Sequence, residues 1–305
     1  MSIKEKLESK INDQASKLRE IVASKGTNNE ILERKEKKNA RIIAIASGKG
    51  GVGKSNVSVN LALTMQKKGM KTLIIDADMG MANIDVLLGM TPQYNLSHVL
   101  RGQHRFEEVV LEGPHGMHFL PGTSGASNLT DISGTAIQRL LDASDFIEDN
   151  YDVVLIDVGA GGHRGTINFI KAADEAIIVL TPEPTAIMDA YSMIKILDDS
   201  EYGSSINLLI NQVGSNREGE SVSSRMEKVI KQYLGFEINT IGYIPYDRKV
   251  SKSVKEQKPI TSLYPNSKAS YAIEEITNSL LNRKNTKPSK GMKSFVNRMV
   301  GIFNN

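Results

Sequence analysis

The sequence predicts one doubly wound α/β domain, built on a single, mostly parallel sheet with helices on both faces. Three observations carry that expectation. Between Arg41 and about Asn282, short β-branched runs alternate with longer segments of helical period. The runs are apolar almost without interruption, which suits strands buried on both faces of a helix-wrapped sheet. The first run also ends in a glycine-rich string, placed where a strand would give way to a helix.

Taken in order, the predicted strands are residues 42–46, 72–75, 117–120, 153–156, 176–180, 206–210 and 241–244. Predicted helices include 56–68, 135–150, 185–198, 221–234 and 266–281. Alternation of the two types is the pattern of βαβ units, whose ligands sit at the carboxyl ends of the strands. The α/β domain is assigned to residues 41–284. Residues 1–25 carry an apolar stripe at helical spacing, and 26–40 form a linker rich in charge from Glu33 to Lys38. Residues 285–305 are set apart as a second linker, with Pro288, and an amphipathic terminal helix.

Composition narrows the function classes. A chain of 305 residues can bury one large core. A net charge of +3 gives no global field for nucleic acid. With no cysteine, disulfides, thiolate catalysis, zinc ribbons and iron–sulfur clusters are all excluded. The start, Met1-Ser2-Ile3-Lys4-Glu5-Lys6, lacks the apolar core of a signal peptide. No run approaches the ~18 apolar residues of a membrane span. The expectation is a cytoplasmic chain that can still touch a membrane surface.

The glycine-rich string is Gly48-Lys49-Gly50-Gly51-Val52-Gly53-Lys54-Ser55, and it satisfies the phosphate-loop pattern G-x-x-x-x-G-K-[ST]. A loop whose main-chain N–H groups point at a polyphosphate needs glycines, because side chains block the approach and φ is often positive. Lys54 would supply a fixed cation to the β- and γ-phosphates, and the Ser55 hydroxyl a ligand to Mg²⁺. Asn56 opens the helix that follows, whose positive end faces the same anion. Past the second strand, Asp76 and Asp78 lie on the ligand edge of the sheet, a poor place for core packing and a good one for a metal or water partner. Asp157 closes the run Val153-Val154-Leu155-Ile156 as a Walker B carboxylate that holds Mg²⁺. Glycines in 159–162 follow as a flexible switch.

Lys49 is a second lysine inside the loop, which an ordinary phosphate loop does not need. The string resembles the deviant Walker A motif of the MinD/ParA family of ATPases. That resemblance implies a P-loop NTPase fold, ATP and Mg²⁺ as cofactors, and a nucleotide-sandwich homodimer. Lys49 would then reach the phosphates held by the partner subunit, with the logic of an arginine finger. The stretch 76–85 resembles the family's first switch, in which Asp78 orients the attacking water, Asp76 lies nearer the metal, and Asn83 and Asp85 respond to the γ-phosphate. Asn211 falls where the family reads the adenine edge, and Pro245, in Gly242-Tyr243-Ile244-Pro245-Tyr246-Asp247, falls on the loop that closes over the base. Gly162-His163-Arg164-Gly165 departs from the family pattern, so no switch contact is carried beyond Gly161. His163 reads either as a base or as a solvated loop residue.

The ends of the chain resemble one branch of that family. Asp13-Gln14-Ala15-Ser16-Lys17-Leu18-Arg19 matches the D-Q-A-x-x-L-R motif of FlhG-type (FleN, YlxH) flagellar ATPases. The match implies a partner-binding helix that stimulates an FlhF-type GTPase of the signal-recognition-particle class through Asp13, Gln14, Ala15, Leu18 and Arg19. The alternative for the stripe is a helix packed on its own domain. At the other end, Met292, Phe295, Val296, Met299, Val300, Ile302 and Phe303 share one face, with Lys290, Lys293 and Arg298 opposite. That pattern suits an in-plane helix on anionic lipid at the inner membrane, or packing on the chain's own surface, or each in turn. A single short copy would bind weakly, and two copies in an ATP dimer avidly. The expected function is control of flagellar number or placement, with slow hydrolysis, with a flagellar C-ring protein or transcriptional regulator as a further partner, and no direct contact with nucleic acid. A division or partition ATPase shares the core without needing the Asp13–Arg19 motif. A tyrosine kinase would need a C-terminal tyrosine cluster that Tyr264 and Tyr271 do not make, and a nucleotide-gated adaptor would not hydrolyse at all.

Overall fold

Each strand in the centre of this molecule must hide both faces, and the order of the chain follows from that need. The computed structural model describes residues 39–78, 82–122, 134–199, 202–283 and 288–303. From Asn39 onwards they fall in one compact unit. β1 (Arg41–Ala46) leads through the phosphate loop into α1 (Lys54–Lys67) and back to β2 (Thr72–Ala77). Short helices α2 (Ile84–Leu88), α3 (Leu96–Leu100) and α4 (Phe106–Val109) precede β3 (Leu111–Glu112) and β4 (His118–Leu120). Next come α5 (Gly134–Asn150), β5 (Val153–Val158), α6 (Arg164–Ala172), β6 (Glu175–Leu180) and α7 (Pro184–Asp199). The chain continues through β7 (Ser205–Val213), α8 (Asn216–Leu234) and β8 (Asn239–Pro245). It closes with α9 (Arg248–Lys255), α10 (Ile260–Leu263), α11 (Lys268–Asn282) and α12 (Gly291–Phe303).

The strand order is β3-β4-β2-β5-β1-β6-β7-β8. Every pairing is parallel except the β3–β4 edge, which is antiparallel. The doubly wound sheet read from the sequence is therefore the fold. Alternation sends Ile42, Ala44, Leu73 and Ile75 to one core, and Ile43, Ile45, Ile74 and Leu155 to the other. Parallel register sets Asp157 beside Ile45 on one side and beside Asp76 on the other, so the carboxylates of β2 and β5 arrive together at one sheet edge.

The structure also adds elements. The two-residue strand β3 is too short to show a period. Helix α6 was hidden by Gly161, Gly162 and Gly165 around its start, yet its interior Ile167, Phe169 and Ile170 are buried. Helix α8 begins five residues before the predicted 221, because Ser215 caps it by accepting the Glu218 N–H at 3.2 Å. The terminal helix α12, set apart in the sequence reading, lies against α5 and α6, and Met292, Phe295, Val296 and Met299 join the same core as β1 and β5. The side chains of Ile302 and Phe303 lie outside the described set.

One buried amide ties the two halves of the second core. Asn60 of α1 accepts from the N–H and hydroxyl of Thr261 at 3.1 and 2.9 Å, and donates to the Asn56 carbonyl at 2.8 Å. Asn60→Ala orphans the buried Thr261 N–H. A loss of about 1–3 kcal/mol is expected in urea unfolding of the nucleotide-free protein.

Candidate functional site

Helix α1 begins without help from any side chain. Its N-cap is Gly53 in the left-handed region (φ 86°), no side chain caps the free N–H groups, and the first turn holds no acid. Those groups are left for an external anion. Gly51 is also left-handed (φ 83°), so the loop bends in ways that only glycine tolerates cheaply. Gly48 is needed for another reason. A Cβ there would lie 2.3 Å from the main-chain carbonyl carbon of Asp189, because the loop rests directly on the backbone of α7. Gly50 meets nothing within 4 Å, Val52 is buried, and Ser55 and Asn56 are half-buried.

Lys54 points along the sheet edge to Asp157, 2.9 Å away; the two side chains are 7% and 1% exposed. Ser58, one turn into α1, donates to the other oxygen of Asp157 at 2.6 Å, and Ser55 Oγ lies 3.4 Å from Lys54 Nζ. Asp76 is buried next to this pair. It accepts the N–H groups of Asp78, Asn83 and Ile84 at 3.1, 3.1 and 3.3 Å. Burial first, and then the charge of Asp157, push the Asp76 carboxyl up to about 7. The oxygens of Ser55, Asp76 and Asp157 are hard donors of the kind Mg²⁺ takes. Among the described residues no cluster of three or more His, Cys, Asp or Glu forms a metal cage. That suits Mg²⁺, which is held by one or two carboxylates together with phosphate oxygens.

Two loops close on this edge. Gly161 donates its N–H to the Ser47 carbonyl at 2.9 Å, which ties the glycine-rich loop 159–162, the predicted second switch, to the phosphate loop. Asp78 stands over Gly159, where a Cβ would come 3.6 Å from its Oδ1. Asp85 sits in the first turn of α2 and accepts from Val86 N, while His163 becomes the exposed N-cap of α6. Lys49 is turned onto its own chain, 2.8 Å from Glu183 and 2.9 Å from Thr185 Oγ1. The lysine beside it holds the Glu183 carboxyl below its usual range.

The cleft at the other end of α1's first turn is lined by Asn56, Asn211, Gln212, Pro245, Tyr246 and Asp247, among others. Asn211 has its amide engaged: Nδ2 donates to the Val52 carbonyl at 2.8 Å and Oδ1 accepts the Gln212 N–H at 2.9 Å. Gln212 takes a left-handed φ of 60° at a break in the β7–β8 register, which bends the strand end at the cleft. Sequence reasoning missed Gln212, Ser58 and the Glu183–Thr185 seat of Lys49, and in the loop 242–247 it singled out Pro245 and not its neighbour Tyr246. Of those missed, only the seat of Lys49 had a visible signal, the string Thr181-Pro182-Glu183-Pro184-Thr185 after a strand end. Asp13, Gln14, Ala15, Leu18 and Arg19 lie outside the described residues.

Residues 38–281 match the family model described as ParA, NUBPL iron-transfer P-loop NTPase. The chain belongs to the MinD/ParA family of P-loop ATPases. The iron transfer in that description has no footing here, since the sequence holds no cysteine. Among relatives, the chain is 39% identical over 236 residues to the antiactivator FleN of Pseudomonas aeruginosa, covering 77% of this chain and 84% of that one. It is 36% identical over 296 residues to the flagellum site-determining protein YlxH of Helicobacter pylori, covering 95% and 99%. The FlhG-type (FleN, YlxH) branch suggested by the sequence is thus the one it resembles. Of solved structures, the septum site-determining protein MinD of Pyrococcus horikoshii, complexed with Mg-ADP, superposes with a TM-score of 0.66 at 25% identity, covering 80% and 96%.

In this MinD/ParA ATPase the contact between Gly48 and α7 is a sharp test of the loop. Gly48→Ala is expected to cost about 1–3 kcal/mol in denaturant unfolding, as overpacking against rigid backbone does. Its affinity for a fluorescent ATP analogue should fall by about tenfold or more. Gly50→Ala, with open space around it, should unfold like the parent.

Proposed function

We propose that this MinD/ParA ATPase is a flagellar switch of the FlhG type, which binds ATP and Mg²⁺, dimerises on ATP, and hydrolyses it slowly. The observation that carries the reading is the pairing of an uncapped, glycine-bent helix start with two lysines of different posture. Lys54 is buried on Asp157, and Lys49 is held at the surface by Glu183, which is 65% exposed. A surface pair of that kind is worth little in water. Lys49 can therefore leave Glu183 for a stronger anion, and in the proposed ATP dimer that anion is the phosphates on the partner subunit.

Within one protomer the main-chain N–H groups of the loop and of α1 bind the phosphates, and Lys54 neutralises the charge that develops on them. Ser55 and Asp157 would hold Mg²⁺, with Asp76 beside them; bound there, the ion draws charge from the phosphate oxygens. Asp78, over the second switch, orients the attacking water. Asn211, Pro245 and their neighbours enclose the base. Asp78→Ala is expected to retain ATP and dimerise while phosphate release drops by at least about a hundredfold, the size expected for loss of a positioned acid–base group. Light scattering and a steady-state phosphate assay on one sample check both halves. Normal turnover would move the water-orienting role elsewhere.

The flagellar reading draws on the likeness to FleN and YlxH and on the Asp13–Arg19 motif. It assigns residues 1–25 as a partner helix, 26–40 as a linker, 41–284 as the ATPase domain and 285–305 as the segment bearing the membrane helix. No helix of the described residues is long and apolar enough to cross a membrane. In this reading the protein is cytoplasmic and peripheral on the inner membrane, with α12 as its contact. An FlhF-type GTPase, and a C-ring protein or transcriptional regulator, are its partners. A peptide of residues 1–25 should stimulate GTP turnover by the cognate GTPase, and replacement of Gln14 and Leu18 should abolish the effect. If neither peptide nor full-length protein stimulates, the flagellar GTPase link falls and a membrane-cycling ATPase of the MinD type remains.

A further inference from the structure

The apolar face of α12 rests in a groove between α5 and α6, but its polar edge is held by a separate set of acids. Glu148 of α5 accepts the Met292 N–H, and through its other oxygen the Ala40 N–H at 2.7 Å. Asp174, in the turn between α6 and β6, accepts from Ser289 Oγ at 2.7 Å, Ile42 N at 3.0 Å and Lys290 N at 3.2 Å. Lys293 pairs with Asp145 at 2.6 Å, both 56% exposed, so water screens that pair heavily.

Arg298 is in a different position. Its side chain is 23% exposed, and the approach to Asp174, itself 13% exposed, stops at 3.6 Å. Nε and Nη2 are enclosed without a hydrogen-bond partner. The oxygens of Asp174 are already occupied by three other donors. Two of the three guanidinium nitrogens have thus left water for an ion pair too long to be a hydrogen bond. Elsewhere in this chain the same pairing is made well: Arg41 Nε lies 2.5 Å from Glu175. A charge enclosed with its donors unmet is a cost to the docked state. On an anionic surface the same fork would meet phosphate oxygens two at a time.

We propose that Arg298 and Asp174 form the release catch of α12, and that an anionic lipid surface is the ligand that takes Arg298 from it. This rests on the reading of α12 as the membrane helix. Apolar contacts hold the helix in its groove while Arg298 works against them. Release into plain water relieves Arg298 but exposes Met292, Phe295 and Val296. A neutral bilayer accepts the apolar face but gives the guanidinium no counter-charge. Only a surface that is both apolar and anionic replaces both sets of partners, so lipid charge sets the balance between docked and released helix. The catch is also connected to the nucleotide edge. Asp174 lies two residues past α6, which starts just beyond the second switch, and Phe169 of α6 packs on Phe295 with ring centres 6.4 Å apart.

The test uses the full chain and three variants. In hydrogen–deuterium exchange without nucleotide or lipid, Arg298→Met should slow exchange across residues 292–299 by about tenfold, as replacing a poorly paired buried charge by an apolar side chain does. Asp174→Asn, which leaves the guanidinium enclosed and unpaired, should speed it by a similar factor. Lys293→Met should change it little. With ATP, the parent should sediment with phosphatidylcholine vesicles containing phosphatidylglycerol, and Arg298→Met should bind them about tenfold more weakly. Unchanged or faster exchange in Arg298→Met overturns the catch, even if Asp174→Asn fails to fold. Equal binding of Arg298→Met and parent to the anionic vesicles overturns the role of lipid charge. If the parent binds no vesicle with ATP, the membrane reading falls, while the exchange experiment still decides the catch.

Discussion

At the edge where β2 and β5 run side by side, two carboxylates and one lysine share a space from which water has been removed. Lys54 pairs with Asp157, while the Asp76 carboxyl, held by three main-chain N–H groups, is pushed up to about 7 by burial and by the charge of Asp157. The arrangement is balanced only while Lys54 stays. A polyphosphate in the loop competes for that lysine, and the acids it leaves behind then need another cation. Nucleotide and divalent ion therefore enter this site as mutually dependent guests, and the dependence originates in strand register: Asp76 faces Asp157 because β2 and β5 are parallel neighbours. Other features on this edge, the uncapped helix start and the two switch loops, are arranged around that charge balance.

Much of the fold was legible because its strands are buried on both faces. Continuous runs such as Val153 to Ile156 do not suit a surface strand, and glycines at 51 and 53 announce left-handed turns by residue type alone. What escaped has a common cause. Ser58 holds Asp157 across 99 residues of chain, and Glu148 caps Met292 across 144. Contacts of that span leave no periodic trace. Helix α6 escaped for a local reason, since three glycines near its first turn carry the signature of a loop although its interior packs as a helix. The present partners of Asn211 were also beyond the sequence. Its amide is bound to the loop's own backbone at Val52, a contact across 159 residues of chain.

The terminal helix carries an amphipathic pattern that suits both the groove it occupies and the membrane surface proposed for it. Its apolar stripe fits a groove or a bilayer equally well, because neither asks for more than a continuous greasy face. On that proposal the discrimination would lie in the charged edge, which in the groove meets acids from α5 and from the turn after α6. Lys49 follows the same design on a smaller scale. An exposed glutamate keeps it folded on its own chain with a bond that any dense anion can outbid.

Asn211 links two regions that would otherwise be separate. One hydrogen of its amide fastens the Val52 carbonyl inside the phosphate loop, and its body lines the cleft proposed for the base. Whatever repositions the amide for a purine ring must also let go of the loop, or keep both through its second hydrogen. On the proposed assignment of the cleft, the two halves of a nucleotide would be felt by a common side chain. Free energies of binding for adenosine and for tripolyphosphate, taken separately, need not sum to that of the whole, and the discrepancy belongs to a single amide.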